Sequence, residues 1–457
     1  MTANRSRLDR FARDLGSCSL DILAELRYTM FSLAWRLWTG RVLVEGRRVV
    51  MIDKDFPGKG RVALLRTRPE TVLDDYRKLL KLANYEDALP KDRETLLKIN
   101  ISWQQWYPAC STAPWQLEGV VRTLLEDGYR NLTAAHNRTV VVDAYEGEFN
   151  NKHKLVVDKY GLRNVHLYEP EIEWVYYEPK TPMLVLDKVY PDGIKIPGYF
   201  FDKNIIQLPT VKTHVFTTIT GAMKNAFGGL LSERRHWTHA VIHETVVDLL
   251  TIQQEIHSGL FAVMDGTFVG DGPGPRAMWV EEKDLILASA DQVAIDAVSA
   301  YLQGFDPMEL KFIRLGNERG LGVGDFKKIE IVGDVDPDEV RWHARTGETF
   351  ASRGQKMIYH GPLKPFERPL LQSPLVPWSY AASRAYYDGL WYPLIGHKRV
   401  DDALQTKWGR LFAEYGDMPA VTKALYEPKT AAAAGLLGVA ASALALWWLV
   451  SKSRKRR

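Results

Sequence analysis

The residues best placed to do chemistry lie between Leu208 and Glu244, LPTVKTHVFTTITGAMKNAFGGLLSERRHWTHAVIHE. Lys224 sits in an otherwise apolar run, Ala222-Met223-Lys224-Asn225-Ala226-Phe227, bracketed by Gly221 and the Gly228-Gly229 pair. Burying an ammonium among apolar neighbours lowers its pKa and makes the amine a nucleophile or a base. The bland alternative is a lysine that snorkels, or one that pairs with a carboxylate such as Asp265. His214 and Lys212 precede it. His236, His239 and His243 are spaced by three and four, which puts them on one helical face if the helix begins that early. Two imidazoles at i and i+4 can grip a divalent metal, so His239 and His243 are the metal candidates. The His-Glu-x-x-His order is absent, and a partly exposed polar face is the competing reading.

Downstream, Asp265 ends a predicted strand and opens Gly266-Thr267-Phe268-Val269-Gly270-Asp271-Gly272-Pro273-Gly274-Pro275. A loop so rich in Gly and Pro lets backbone approach a ligand, and Gly270 and Gly272 could help nest an anion. It matches neither the dinucleotide fingerprint nor the P-loop, so a structural loop is the alternative. Asp291 reads mainly as a helix cap. There is no nucleophile elbow, which leaves serine hydrolysis unsupported.

These groups must be positioned by something, and from about Leu96 short β-rich runs alternate with helix-length segments, the signature of a wound α/β sheet. Strands are expected at Leu96–Ile101, Thr139–Val142, Val165–Tyr168, Ile205–Leu208, Leu260–Met264, Leu285–Ala288 and Ile329–Val332. Helices are expected at Pro114–Leu125, at Val241–Ile256 and after Asp291. The Leu208–Glu244 stretch follows a strand and leads into a helix, where open α/β sheets build their sites. The expected fold is α/β, a wound mixed or parallel sheet with flanking helices, an irregular C-terminal extension and one C-terminal transmembrane helix. Its expected parts are an N-terminal extension over 1–85, an α/β core over 86–335, an aromatic-rich extension over 336–429, and an anchor with a basic tail over 430–457.

The chain has 457 residues, 46% hydrophobic and 25% charged, which is globular composition and excludes wholesale disorder. Lys and Arg number 60 against 56 Asp and Glu, and Lys452, Arg454, Lys455, Arg456 and Arg457 supply five of the positives. The body is near neutral, so no basic stripe argues for nucleic acid as a partner. Two cysteines cannot by themselves hold zinc through thiolates or an iron–sulfur cluster. Ala431–Val450 is an uncharged run long enough to cross a bilayer and is followed by a basic stop. It predicts a single-pass anchor with the body cytoplasmic, membrane lipid as a partner, and a small-residue stripe at Ala434, Gly438 and Ser442 that would pair two spans in a homodimer. Arg27–Arg41 suits a helix lying in the membrane interface.

From Leu96 to Asp334 the chain resembles the family catalogued as domain of unknown function 362. The matching pieces are Lys98-Ile99-Asn100, Ser111-Thr112-Ala113-Pro114, Pro209-Thr210-Val211-Lys212-Thr213-His214, Thr220-Gly221-Ala222-Met223-Lys224-Asn225, the Asp265–Pro275 loop and Ser289-Ala290-Asp291. They carry the candidate ligand-binding residues Lys98, Asn100, Thr112, Lys212, Thr220, Gly221, Asn225, Gly270, Gly272 and Asp291. Many members also carry a cysteine-rich ferredoxin-like cassette, which this chain lacks, so a redox role would need an external electron donor. The run Pro209–His239 is also similar to the catalytic stretch of the lactate racemase family. There His214 would be the proton-transferring base, Lys224 the tether of a nickel pincer cofactor and His239 a metal ligand. The flanking residues differ, so cofactor identity does not carry over.

The expected function is an enzyme acting on a small anionic or lipid-borne substrate through Lys224 and His214, with Asp265 and His239 in support. The alternatives are a non-catalytic tethered adaptor and a metal- or pincer-dependent racemase-like or redox enzyme. A catalytic site predicts a closed pocket converging on Lys224, His214 and His239, whereas an adaptor predicts these side chains scattered or solvated.

Overall fold

The computed structural model describes residues 55–137, 141–373 and 376–417. Contacts divide the chain into Met1–Arg48, wholly outside the described residues, and Val49–Arg457. The second unit is built on twelve strands: β1 Arg61–Arg66, β2 Thr95–Ile99, β3 Leu132–His136, β4 Arg163–His166, β5 Trp174–Tyr177, β6 Ile194–Pro197, β7 Asn204–Leu208, β8 Thr210–His214, β9 Thr218–Ile219, β10 Gly259–Asp271, β11 Trp279–Ser289 and β12 Glu330–Gly333. Ten form one mixed sheet in the order β12-β1-β11-β10-β7-β2-β3-β4, with β8 on β10 and β9 on β8; β5 and β6 pair separately. From β10 through β7, β2 and β3 to β4 every pairing is parallel. The carboxyl ends of these strands therefore share one edge.

Strand side chains alternate between faces, and the alternation divides the interior into two cores. Val62 and Leu64 of β1 join one core while Ala63 and Leu65 join the other; Leu285 and Leu287 of β11 likewise part from Ile286 and Ala288. Each fully buried Leu or Ile contributes roughly 1.5–3 kcal/mol. The second core is covered by α1 (Val72–Leu82) and α2 (Pro114–Glu126). Pro114 opens α2 at a position where a missing N–H costs nothing. Beyond α2 come a one-turn helix α3 (Ala222–Asn225), then α4 (Ile242–Ile256) and α5 (Gln292–Leu302), the last two packed on the first core. Asp291 caps α5 by accepting from Val293 and Ala294 at 2.9 Å each.

Four expectations need correcting. First, β1 and α1 lie inside the segment assigned to an N-terminal extension, and β1 is an interior strand between β11 and β12. Second, the third strand is Leu132–His136; Thr139 and Val140 of the expected Thr139–Val142 strand fall outside the described residues and Val142 makes only an isolated bridge. Third, the extension is largely helical, running through α6 (Phe350–Tyr359), Pro377–Tyr386, a π-helical stretch Tyr387–Gly396, His397–Leu404 and Lys407–Glu414. Pro393, which has no N–H to donate, sits inside the widened turns and hides the helical period from a reading of spacing. Fourth, among the described residues no helix is long and apolar enough to cross a membrane. The run Ala431–Val450 and the interfacial candidate Arg27–Arg41 lie outside the described residues. The fold is therefore mixed α/β with flanking helices, and the transmembrane helix, tail anchor, single-pass localisation and span-mediated dimer are not carried forward.

Candidate functional site

Pro209 separates β7 from β8, and β8 continues parallel to β10 along its far half with the register shifted. That places Lys212 and His214 beyond the carboxyl end of β7, beside the end of β2 that carries Lys98. The β8–β9 hairpin then delivers the chain to α3, which presents Lys224. Two devices lock α3. Asp296 of α5 accepts from Ala222 and Met223 at 2.6 and 3.1 Å. Asn225 donates to Lys98 O at 3.0 Å and Gln207 Oε1 at 2.9 Å, and accepts from Asn100 at 3.1 Å. Gly221 is required here, because a Cβ would stand 2.2 Å from the Asp296 carboxylate. Gly229, at φ +155°, lets the following chain pass over Lys98, whose Cε would lie 2.8 Å from an added Cβ.

Lys224 is half-buried and lies over the Phe227 ring, its ammonium 5.6 Å from the centroid. Among the described residues its amine makes no hydrogen bond or ion pair. Burial, then the charges of Lys212 and Arg235, lower its pKa from 10.5 to about 7. Asp265, the carboxylate considered as its partner, is elsewhere. Four donor contacts saturate it: Tyr76 OH at 2.7 Å, Trp115 Nε1 at 2.9 Å, and the Thr267 amide and hydroxyl at 3.1 and 2.7 Å.

His214 accepts at Nδ1 from the Phe216 amide at 3.1 Å. A neutral imidazole that accepts at one nitrogen carries its proton on the other, so Nε2 is a donor. Burial and then the nearby Lys224, His239, Lys212 and His243 push its pKa well below the ordinary value. In this tautomer His214 offers a donor at Nε2, and its Nδ1 lone pair is already engaged and not free for the expected base. His239 is the reverse: Nδ1 lies 3.0 Å from the His236 carbonyl, so it donates there and leaves a lone pair on Nε2. Burial takes the His239 pKa to about 3. Its ring stacks on Tyr359 at 5.6 Å and meets Phe216 and Phe227 edge-on.

The remaining candidates divide sharply. Lys212, buried, spends its amine on Asn100 Oδ1, Cys110 O and Thr210 Oγ1, so it acts on the site through its charge. Lys98 donates to Ile99 O at 2.7 Å, and burial followed by the Arg235 charge brings its pKa to about 7. Thr112 ties Asn100 N to Leu208 O, and Thr220 bonds back to the Thr210 and Lys212 carbonyls. Gly270 packs on Met278, and Gly272 pairs with the Arg345 carbonyl; both belong to the scaffold. Asp291 spends its second oxygen on the amides of Gly60 and Val323, which completes a structural cap. The helical face expected for the three histidines does not form, because Glu233–Val241 is a 3-10 helix and the α-helix starts at Ile242. His243 stacks on Phe312 instead. No group of three or more His, Cys, Asp or Glu among the described residues is arranged to hold a metal ion.

Sequence reasoning missed Arg235, the aromatic wall of Phe216, Phe227 and Tyr359, and a second buried group at the same sheet edge. There His136 and His166, which end β3 and β4, stack at 5.2 Å with their Nε2 atoms 3.2 and 3.6 Å from Glu148. Burial would raise the Glu148 carboxyl, but the imidazoles and the Asn164 amide outweigh it and keep it ionised. The available signal was that both histidines close β-rich runs. Two narrow clefts, with room for a single water at most, lie near the lysine cluster: one is lined by Trp106, Trp115 and Asp265, and one by Lys98, Gln207 and His257.

An open, mostly parallel sheet with polar groups gathered at the carboxyl ends of its strands defines an α/β protein, the class whose ligand sites form at that edge. Residues 95–301 match the family described as Domain of unknown function (DUF362). The chain is also 26% identical over 120 residues to a thylakoid-associated protein of Synechocystis sp., a match covering 26% of this chain and 37% of that relative. No solved structure matches. Neither match concerns a lactate racemase.

Proposed function

We propose that this protein is an enzyme acting on a small anionic substrate at the Lys224 site. One observation carries the reading. Lys224, His214 and His239 converge, and the electrostatic neighbours of the Lys224 amine are all cations. Charging an amine that lies among cations is costly unless an anion joins them. Near neutral pH the amine is half deprotonated, which suits it to proton transfer, a contribution of about 10²–10⁴-fold. Tautomers assign the remaining roles: His214 Nε2–H faces developing negative charge, and His239 Nε2 takes a proton. A second reading, a non-catalytic anion-binding module, is favoured by the lining of these two clefts, neither of which includes Lys224, since binding would then need only the cationic edge.

Calorimetric titration with small carboxylates and inorganic phosphate tests the proposal. Binding that falls at least tenfold in Lys224→Met, with an unchanged circular dichroism spectrum, supports it. Absence of binding, or equal binding by the variant, contradicts it.

A further inference from the structure

The Lys224 amine has three features that point beyond binding. It has no hydrogen-bonded partner among the described residues, whereas the Lys212 amine beside it is consumed by three acceptors. The Lys224 amine lies over the Phe227 ring, which with Phe216 and Tyr359 also packs on His239, an aromatic surface that suits a short carbon skeleton rather than a chain of phosphates. Close by is a hydrogen-bond donor of fixed tautomer, His214 Nε2–H, the group needed to polarise a carbonyl oxygen. A free amine, a carbonyl-polarising donor and nearby fixed positive charge together fit an electrophilic carbon next to a carboxylate.

We propose that Lys224 captures the carbonyl carbon of a small 2-oxo acid as a Schiff base, with the substrate carboxylate lying in the field of Lys212 and Arg235 and the carbonyl oxygen on His214 Nε2. The proposal rests on the anionic-substrate reading and specifies its chemistry. The neutral amine attacks with its lone pair, and a C–N bond forms as the carbonyl π pair moves to oxygen. One amine proton passes to that oxygen to give a carbinolamine. The second leaves with the hydroxyl as one water, so the imine and water account for every atom and no oxidant or reductant enters. His239 Nε2 is the lone pair available to relay the proton. Cationic neighbours favour the neutral amine and so the attack.

The test incubates the full chain with pyruvate, adds sodium borohydride to reduce any imine, and reads intact mass and peptide maps. The expected result is one reduced adduct per chain on the peptide carrying Lys224, absent without borohydride and absent in Lys224→Gln. Its formation rate should fall about tenfold per unit of pH below about 7 and level off above it. No adduct, or adducts only on other lysines, overturns the proposal whether or not the variant folds, because the wild-type chain carries the experiment. If pyruvate still raises the unfolding temperature without an adduct, the Schiff base fails and the anionic-substrate reading stands. If it does neither, both fail.

Discussion

Two sets of ionisable groups packed on or around this sheet differ in how completely they are satisfied. The carboxylates Asp265, Asp291 and Asp296 each receive at least two donors, Asp291 joining four backbone amides from three parts of the chain. Among the described residues, Lys224 Nζ, His214 Nε2 and His239 Nε2 have no hydrogen-bond partner, while the other contacts of these side chains fix their orientation. Saturated groups hold the fold together; groups held in place with a valence left over are available for a ligand. A displaced pKa alone does not separate them, since both sets have one.

This contrast can be broken by mutation. Asp265→Ala should have the largest effect, because it strands the Tyr76, Trp115 and Thr267 donors in the core; at about 1–3 kcal/mol for each unsatisfied group, a loss of ~3 kcal/mol or more is expected in urea unfolding. A loss below about 1 kcal/mol would remove Asp265 from the scaffold. Gly221→Ala comes next, at ~1–3 kcal/mol, since its Cβ must displace the Asp296 carboxylate that holds α3. Anion binding should fall with it, through the position of Lys224.

Lys224→Met should abolish anion binding yet leave stability equal or higher. The sign follows from the lowered pKa: at neutral pH the unfolded chain holds more of this proton than the folded one, so the native lysine disfavours folding there. Any gain in the variant should therefore be present at neutral pH and vanish as pH rises past 10.5. Unfolding curves at two pH values check this, and a variant less stable at neutral pH would mark Lys224 as structural. Tyr359→Ala should have the smallest effect on stability. Its ring belongs to a satellite cluster with Ile358 and Leu371, outside the two main cores, and covers His239. Faster ligand association with little change in unfolding is the expected outcome in stopped-flow and thermal melts.

Much of the fold was legible because strand and helix periods are local. Ile205–Leu208 and Leu285–Ala288 are strands as spaced, and Asp291 caps the helix after it. What escaped depended on partners distant in sequence. Arg61–Arg66 reads as an isolated apolar run until β11 and β12 flank it, and the helices around Pro393 lose their period to the π turn. At the site, the residue types of Lys224, His214 and His239 were visible. The roles of Asp265 and Lys212 were not, because only three-dimensional contacts reveal that every valence is occupied. The tautomer of His214 was hidden for the same reason, being set by a backbone amide.

The central claim is that Lys224 carries a free, depressed amine. Competitive labelling of all lysines with an acylating reagent across pH, read by peptide mass spectrometry, measures it directly. Lys224 should be half deprotonated near pH 7 and outcompete the exposed Lys328 at neutral pH. Titration of Lys224 near 10.5, together with the surface lysines, would contradict the account.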